Sequence, residues 1–147
     1  MARALYFEDI TLGMEVTPLI KGPVTSRHLV MFAAATGEYP EIHYDRRVAV
    51  SVGLPDIIVQ GWYKTATLAQ MLSEWIGLKG KLEKISVQHR GMDVDGNTLI
   101  ARGRVTGKSS EDGENRVDCE IWVEGQNGER TSVGTATVAV PRRAGLS

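Results

Sequence analysis

The sequence predicts an α+β domain in which one antiparallel sheet curves around a single long helix. Three observations lead there. Residues 60–77, "QGWYKTATLAQMLSEWIG", read as one helix that is apolar over most of its circumference, with only a narrow polar stripe near Thr67, Gln70 and Glu74. A helix of that kind is buried rather than laid on a surface. Everything after it reads as strands, and everything before it as one short strand and helical material. A lone apolar helix must be covered by another layer, and the strands supply it.

The elements follow in order. "FEDITLGMEVTPL" leads into a short strand. "TSRHLVMFAAATG" is a helix that Thr25 or Ser26 can cap and Gly37 can end. Residues 35–45, "ATGEYPEIHYD", form an acidic loop in which Pro40 blocks helix continuation. "HYDRRVAVSVGLP" holds a short helix closed by Gly53 and Pro55, and Gly77 ends the long helix. "KLEKISVQHRG" is the first of four later strands. "TLIARGRVTG" follows a turn at "DGN" and sets Leu99, Ala101, Gly103 and Val105 on one face. "RVDCEIWVEG" alternates Val117, Cys119, Ile121 and Val123 against Asp118, Glu120, Trp122 and Glu124. "QNGE" signals a two-residue hairpin into "TSVGTATVAV". The expected sheet is a meander of these four strands, and the tail "PRRAGLS" is expected to fray. This is a hot-dog architecture occupying residues 1–147 as one domain. Its half-wrapped helix and free strand edges point to at least a dimer.

Composition narrows the function. The 147 residues carry a net charge of −1, so no basic footprint for nucleic acid or an anionic membrane exists. No run approaches the roughly 20 apolar residues that span a bilayer. "MARALYFEDI" lacks the apolar segment of a secretory signal. The single cysteine, Cys119, excludes an internal disulfide and a cysteine-built zinc site. These features fit the cytoplasm. Cys119 lies in an alternating run and reads as a core residue. Histidine chemistry has three sources, His28, His43 and His89. "EIHYD" contains an H-x-D pair but no further ligands at metal-binding spacing, so no metal is expected. No G-x-S-x-G elbow supports a serine nucleophile.

The acidic loop carries the most chemistry. "GEYPEIHYD", residues 37–45, and "IVQGWY", residues 58–63, resemble two hallmarks of the MaoC-like, (R)-specific enoyl-CoA hydratases and dehydratases. Those hallmarks are G-D-x-N-P-x-H-x-D and an I-x-H-G-M-like segment that opens the central helix. "HRGMDVDGNTLIARGRVTG" is similar to the family's strand–turn–strand segment after that helix, so the likeness covers nearly the whole chain. It looks closest to the branch holding small subunits of steroid side-chain enoyl-CoA hydratases. The resemblance implies a hydro-lyase acting on an acyl-CoA or acyl-carrier thioester. Coenzyme A would enter as part of the substrate, with no other cofactor. The protein would work as a homodimer or with a second hot-dog subunit. The resemblance also implies Glu38 and His43 as an acid–histidine dyad and Gly61 as the carbonyl-binding residue. The chain departs from the pattern at Glu38 (aspartate in the family), Pro40 (asparagine), Glu41 (proline) and Gln60 (histidine). Glu38 adds one methylene, about 1.5 Å of reach.

The residues themselves permit that chemistry. Hydration of a 2-enoyl thioester needs a water that loses a proton while it attacks C3, a proton for C2, and stabilisation of the thioester oxygen. A neutral histidine beside a carboxylate can share the proton handling, and a turn at Pro40 can bring Glu38 and His43 together. A backbone N–H at Gly61, at the positive end of a helix, can meet the oxygen. Each residue has a structural alternative. His43 can be a buried histidine bonded to a backbone carbonyl, Glu38 a solvated acid, and Gly61 a requirement of helix-start geometry. Glu41 reads as a surface residue and Asp45 as a cap for the following helix. Gln60 and Tyr63 can line the pocket. Lys64, Arg90 and Arg102 can meet coenzyme A phosphates or lie on a solvated face. A hot-dog thioesterase and a non-catalytic subunit of a heteromeric hydratase are the competing functions.

Overall fold

The computed structural model describes residues 4–145. After a 3₁₀ turn at Phe7–Asp9 come β1 (Glu15–Lys21), α1 (Ser26–Thr36), a second 3₁₀ turn (Glu41–His43), α2 (Arg46–Ser51) and α3 (Gly61–Ile76). The strands β2 (Lys81–His89), β3 (Leu99–Glu111), β4 (Glu114–Glu124) and β5 (Arg130–Ala139) follow. All five strands form one sheet in the order β1-β3-β4-β5-β2, and every pairing is antiparallel. The α+β hot-dog reading of the sequence holds.

Local chemistry explains the bounds. Thr25 precedes α1 in extended conformation, and its backbone N–H donates to His28 Nδ1 at 3.1 Å, which closes the helix start. Gly37 ends α1 with φ of +70°, and its N–H donates to the Ala33 carbonyl. Asp45 caps α2 by accepting from the Arg47 N–H at 2.9 Å, the structural role expected of it. The guanidinium of Arg47 also binds its carboxylate, and this contact leads the causes that lower the Asp45 pKa. In β1, Pro18 has no N–H to give the ladder and falls at the register break between Val16 and Leu19, on an edge strand.

The core lies between α3 and the concave face of the sheet. Leu68, Met71, Leu72 and Ile76 of α3 meet Leu99, Ala101 and Val105 of β3, Cys119, Ile121 and Val123 of β4, and Ala136 and Val138 of β5. The alternation read in β3 and β4 is observed. Trp122 is also buried, although on the opposite face of β4, because the Arg130 guanidinium lies 4.0 Å over its ring and its indole N–H donates to Glu124.

Four expectations are corrected. First, α3 is not buried all round. The sheet covers one face, and Trp62, Ala66 and Gln70 remain exposed on the other, with Trp62 at 66%. Thr67, expected in the polar stripe, is buried because its hydroxyl donates to the Tyr63 carbonyl at 2.8 Å. Second, the strands after α3 are not one meander. β3, β4 and β5 are, but β2 crosses to the far edge and pairs with β5, from Lys81 opposite Ala139 to His89 opposite Ser132. Third, the connection at "QNGE" is longer than two residues. Gly125 N–H donates to the Glu129 carbonyl, and Gly128, at φ +82°, donates back to Gly125. The tight two-residue turn lies instead at Asp112 and Gly113, both at positive φ, between Glu111 and Glu114. Fourth, the tail is pinned as far as Arg143. Arg142 donates to Asn115, and Arg143 pairs with Asp9. Leu146 and Ser147 lie outside the described residues.

Candidate active site

The acidic loop is tied to the segment that leads into α3. Pro40 opens the 3₁₀ turn that carries His43. The Ile58 N–H donates to the Ile42 carbonyl at 3.2 Å, and His43 Nδ1 lies 2.8 Å from the Ile58 carbonyl oxygen. A carbonyl can only accept, so Nδ1 carries a proton, and in the neutral ring Nε2 is the unprotonated nitrogen. His43 is 7% exposed. The backbone contact anticipated as the bland reading of His43 is therefore present, and it fixes the tautomer that a base at Nε2 requires.

Glu38 lies just beyond the C-terminus of α1. One of its carboxylate oxygens is buried and accepts no hydrogen bond, an unusual state for a buried polar atom. Glu38 also lines a groove of two lobes that share Glu38, Trp62 and Thr65 as walls. The first lobe, about 580 Å³, runs between α1 and α3 and is apolar, with Phe32, Ala66 and Ala69 as its other main walls. The second, about 470 Å³, runs between α3 and β2 and adds Gly61, Ile85, Val87 and His89. Glu38 and Gly61 thus share one cavity, while His43 is not among the walls of either lobe.

Gly61 is the first residue of α3. The preceding Gln60 places no side-chain cap on the helix, so the opening N–H groups have no intrahelical partner and present the positive end of the dipole. Glycine is required here for contact rather than for backbone freedom. A Cβ on residue 61 would stand 2.6 Å from His89 Cδ2 and 2.8 Å from His89 Nε2.

Comparison with known proteins shows the family of the chain. The family described as MaoC like domain matches residues 9–127. The chain belongs to the MaoC-like family. Solved structures of similar fold include the (R)-hydratase from A. caviae involved in PHA biosynthesis, at 18% identity and TM-score 0.82 over 91% of this chain and 99% of that one. The R-hydratase PhaJ1 from Pseudomonas aeruginosa is similar at 19% identity and TM-score 0.85, over 98% of this chain and 92% of that one. A chain of the ChsH1-ChsH2 complex from Mycobacterium tuberculosis is similar at 21% identity and TM-score 0.77, over 88% and 98%. Among curated protein sequences none matches this chain.

The remaining candidates of this MaoC-like domain fall outside the cavity walls. Gln60 is fully buried, and its side-chain N–H donates to the Leu29 carbonyl at 2.9 Å, joining α1 to the start of α3. Tyr63 packs edge-on against Phe32 with ring centroids 5.4 Å apart, and burial raises its phenol pKa. Arg90 is exposed beside His89 and donates to Gln88. Arg102 is paired with Glu124 at 2.9 Å. Lys64, expected either to reach a phosphate or to lie in solvent, does neither. It is 2% exposed, donating to the Gly91 carbonyl at 2.9 Å and to Asp93 Oδ2 at 3.0 Å, where Thr131 also donates. Cys119 is a core residue whose thiol burial pushes up to about 12. Among the described residues no group of three or more His, Cys, Asp or Glu side chains is placed to hold a metal, and no helix is long and apolar enough to cross a membrane. His28, at the start of α1, serves the cap through its contact with Thr25.

His89 is the wall residue that sequence reasoning did not single out. Its Nδ1 lies 2.9 Å from Ser132 Oγ. Partial burial, then the Lys64 charge, lowers its pKa below the ordinary histidine value, while the residue is exposed overall and lines the second lobe. The one available signal was a polar side chain where β2 otherwise turns Ile85 and Val87 toward the groove.

Proposed function

We propose that this protein is a hydro-lyase that adds water to a 2-enoyl thioester, or removes it from the 3-hydroxyacyl product. The observation that carries the reading is the shared cavity of Glu38 and Gly61: a carboxylate with an unpartnered oxygen and the uncapped start of α3 line the same lobe. The acyl chain lies in the apolar lobe along Phe32, Ala66 and Ala69. The thioester carbonyl meets the N–H of Gly61. Glu38 and His43 Nε2 bind one water. In hydration the water oxygen bonds to C3, its proton passes to the dyad, and the C2–C3 π electrons shift through C2 toward the thioester oxygen. The dyad then delivers a proton to C2, which restores both groups. Coenzyme A or an acyl carrier enters with the substrate, and the reaction uses no other cofactor. Arg90, exposed and next to His89 in the chain, would meet a phosphate of the carrier. The exposed Trp62 beside the groove supports assembly with a second hot-dog subunit, either another copy or a different chain, and the similar fold found in the ChsH1-ChsH2 complex is in keeping with this.

The test is direct. Purified protein should consume the conjugated absorbance of an enoyl thioester. Glu38→Gln and His43→Gln should each lower kcat by about 10²-fold or more, the usual scale for a positioned acid or base. Wild-type turnover in both variants removes the assignment. Release of free thiol from a saturated acyl-CoA marks a thioesterase instead. Light scattering of the purified chain, alone and with a co-expressed partner, reads its assembly.

A further inference from the structure

The protonation state of His89 follows from its neighbour. Ser132 is fully buried on β5, directly opposite His89 in the ladder. Among the described residues its hydroxyl makes one hydrogen bond, to His89 Nδ1 at 2.9 Å. If Nδ1 carried the proton and donated, the serine hydrogen would be buried without an acceptor, a penalty that buried hydroxyls avoid. The hydroxyl therefore donates to Nδ1, and the proton of the neutral ring sits on Nε2. Among the described residues the one polar group against that nitrogen is the Thr65 hydroxyl, at a slack 3.5 Å. It lies against Gly61, 2.8 Å from the place a Cβ would occupy there, and both residues line the lobe that Glu38 closes. Lys64 anchors the stretch after His89 by binding the Gly91 carbonyl and the Asp93 carboxylate, so the ring is held from two sides. The same buried ammonium disfavours a second positive charge on the imidazole.

We propose that the Nε2–H of neutral His89 is a second oxyanion donor, acting beside the Gly61 amide on the thioester oxygen. The inference rests on the hydro-lyase reading and adds a catalytic residue to it. His89 transfers no proton. As the water oxygen bonds to C3 and negative charge reaches the thioester oxygen, the Nε2–H hydrogen bond strengthens, and it relaxes when C2 is protonated by the dyad. A donor fixed before the reaction needs no reorganisation when the charge develops.

Three variants test it. His89→Phe keeps a ring but has no donor, and kcat should fall about 10²- to 10³-fold with KM within about threefold of wild type, the pattern of an interaction made only in the transition state. His89→Gln, whose side-chain N–H reaches the position of Nε2, should recover at least about tenfold of that loss. Ser132→Ala frees the tautomer and should fall between them. A spectroscopic readout guards against a variant that only loosens the fold. In a Glu38→Gln background, bound 4-dimethylaminocinnamoyl-CoA should absorb at longer wavelength than the free thioester. His89→Phe should shrink that red shift and His89→Gln should restore it. An unchanged red shift, or wild-type kcat in His89→Phe while Glu38→Gln is impaired, overturns the role of His89 and leaves the hydro-lyase reading standing. A wild-type protein without enoyl thioester turnover overturns both.

Discussion

Replacing Gly61 with alanine should separate activity from stability. The added Cβ would meet His89 Cδ2 at 2.6 Å, about 1 Å inside an ordinary carbon–carbon contact. The obstacle is the ring, and the ring is tethered by its 2.9 Å bond to Ser132. Ser132 belongs to the β2–β5 ladder and cannot follow. A ring displaced by about 1 Å stretches that bond past hydrogen-bonding range and leaves a buried hydroxyl unsatisfied, at a cost of about 1–3 kcal/mol. Alanine returns up to about 1 kcal/mol of helix propensity. The net loss is about 1–2 kcal/mol, or a Tm lower by roughly 5 °C for a chain of this size. Activity should suffer far more, because a misplacement of about 1 Å near the reacting oxygen costs about 10²-fold. Calorimetry and enoyl thioester turnover on the same preparation measure the two. A variant with normal kcat refutes the reasoning. So does one whose Tm falls by some 15 °C, since Gly61 would then be a packing requirement alone.

Other perturbations follow from the same contacts. Asp93→Asn leaves the Lys64 ammonium buried without its anion and should cost about 3–5 kcal/mol, whereas Lys64→Met combined with Asp93→Leu should restore at least half of that in a denaturant titration. Ala69→Trp fills part of the lobe between α1 and α3 and should raise KM for long acyl thioesters while sparing four-carbon ones, as a chain-length series would show. His89 should titrate with an NMR midpoint below the free value of about 6.5, in line with its lowered pKa. Its folded-state value is depressed, so the stability it contributes is present above the unfolded value and is lost as the pH falls through the folded one.

Much of the fold was legible because its signals are local. Thr25, Gly37 and Gly77 mark helix ends through their own backbone chemistry, and alternation in β3 and β4 records which side of the sheet is dry. What was not legible depends on pairing at a distance. An apolar circumference on α3 does not say which face the sheet takes, and Trp62 falls on the open side. The sequence of β2 holds nothing that specifies β5 as its neighbour rather than β3. The site divides in the same way. Glu38, His43 and Gly61 stand out as a spaced motif, and the structure sets Glu38 and Gly61 on one cavity. Lys64 and His89 do not stand out. A lysine on a helix ordinarily reaches solvent, and its counter-charge, Asp93, lies in a loop past the next strand. His89 acquires meaning only when the ladder puts Ser132 behind it and the absent side chain of Gly61 makes room in front.

The placement of β2 at the far edge also sets an order of assembly. Its only strand partner, β5, is the last strand in the chain, and β1 likewise waits for β3. During synthesis α3 emerges with only β1 of the sheet already made, before the four strands that complete the cover over Leu68, Met71 and Leu72. Loop closures of this length make such folds slow relative to helical bundles, and the exposed helix is then the segment most open to chaperones or to aggregation. A nascent chain halted before Arg130 would lack β5, the partner of both β2 and β4. It would present two unfinished edges, β2 without a neighbour and β4 paired on one side only. Completion of the site at Gly61 is therefore one of the last events in folding, because the serine that holds His89 arrives with the final strand.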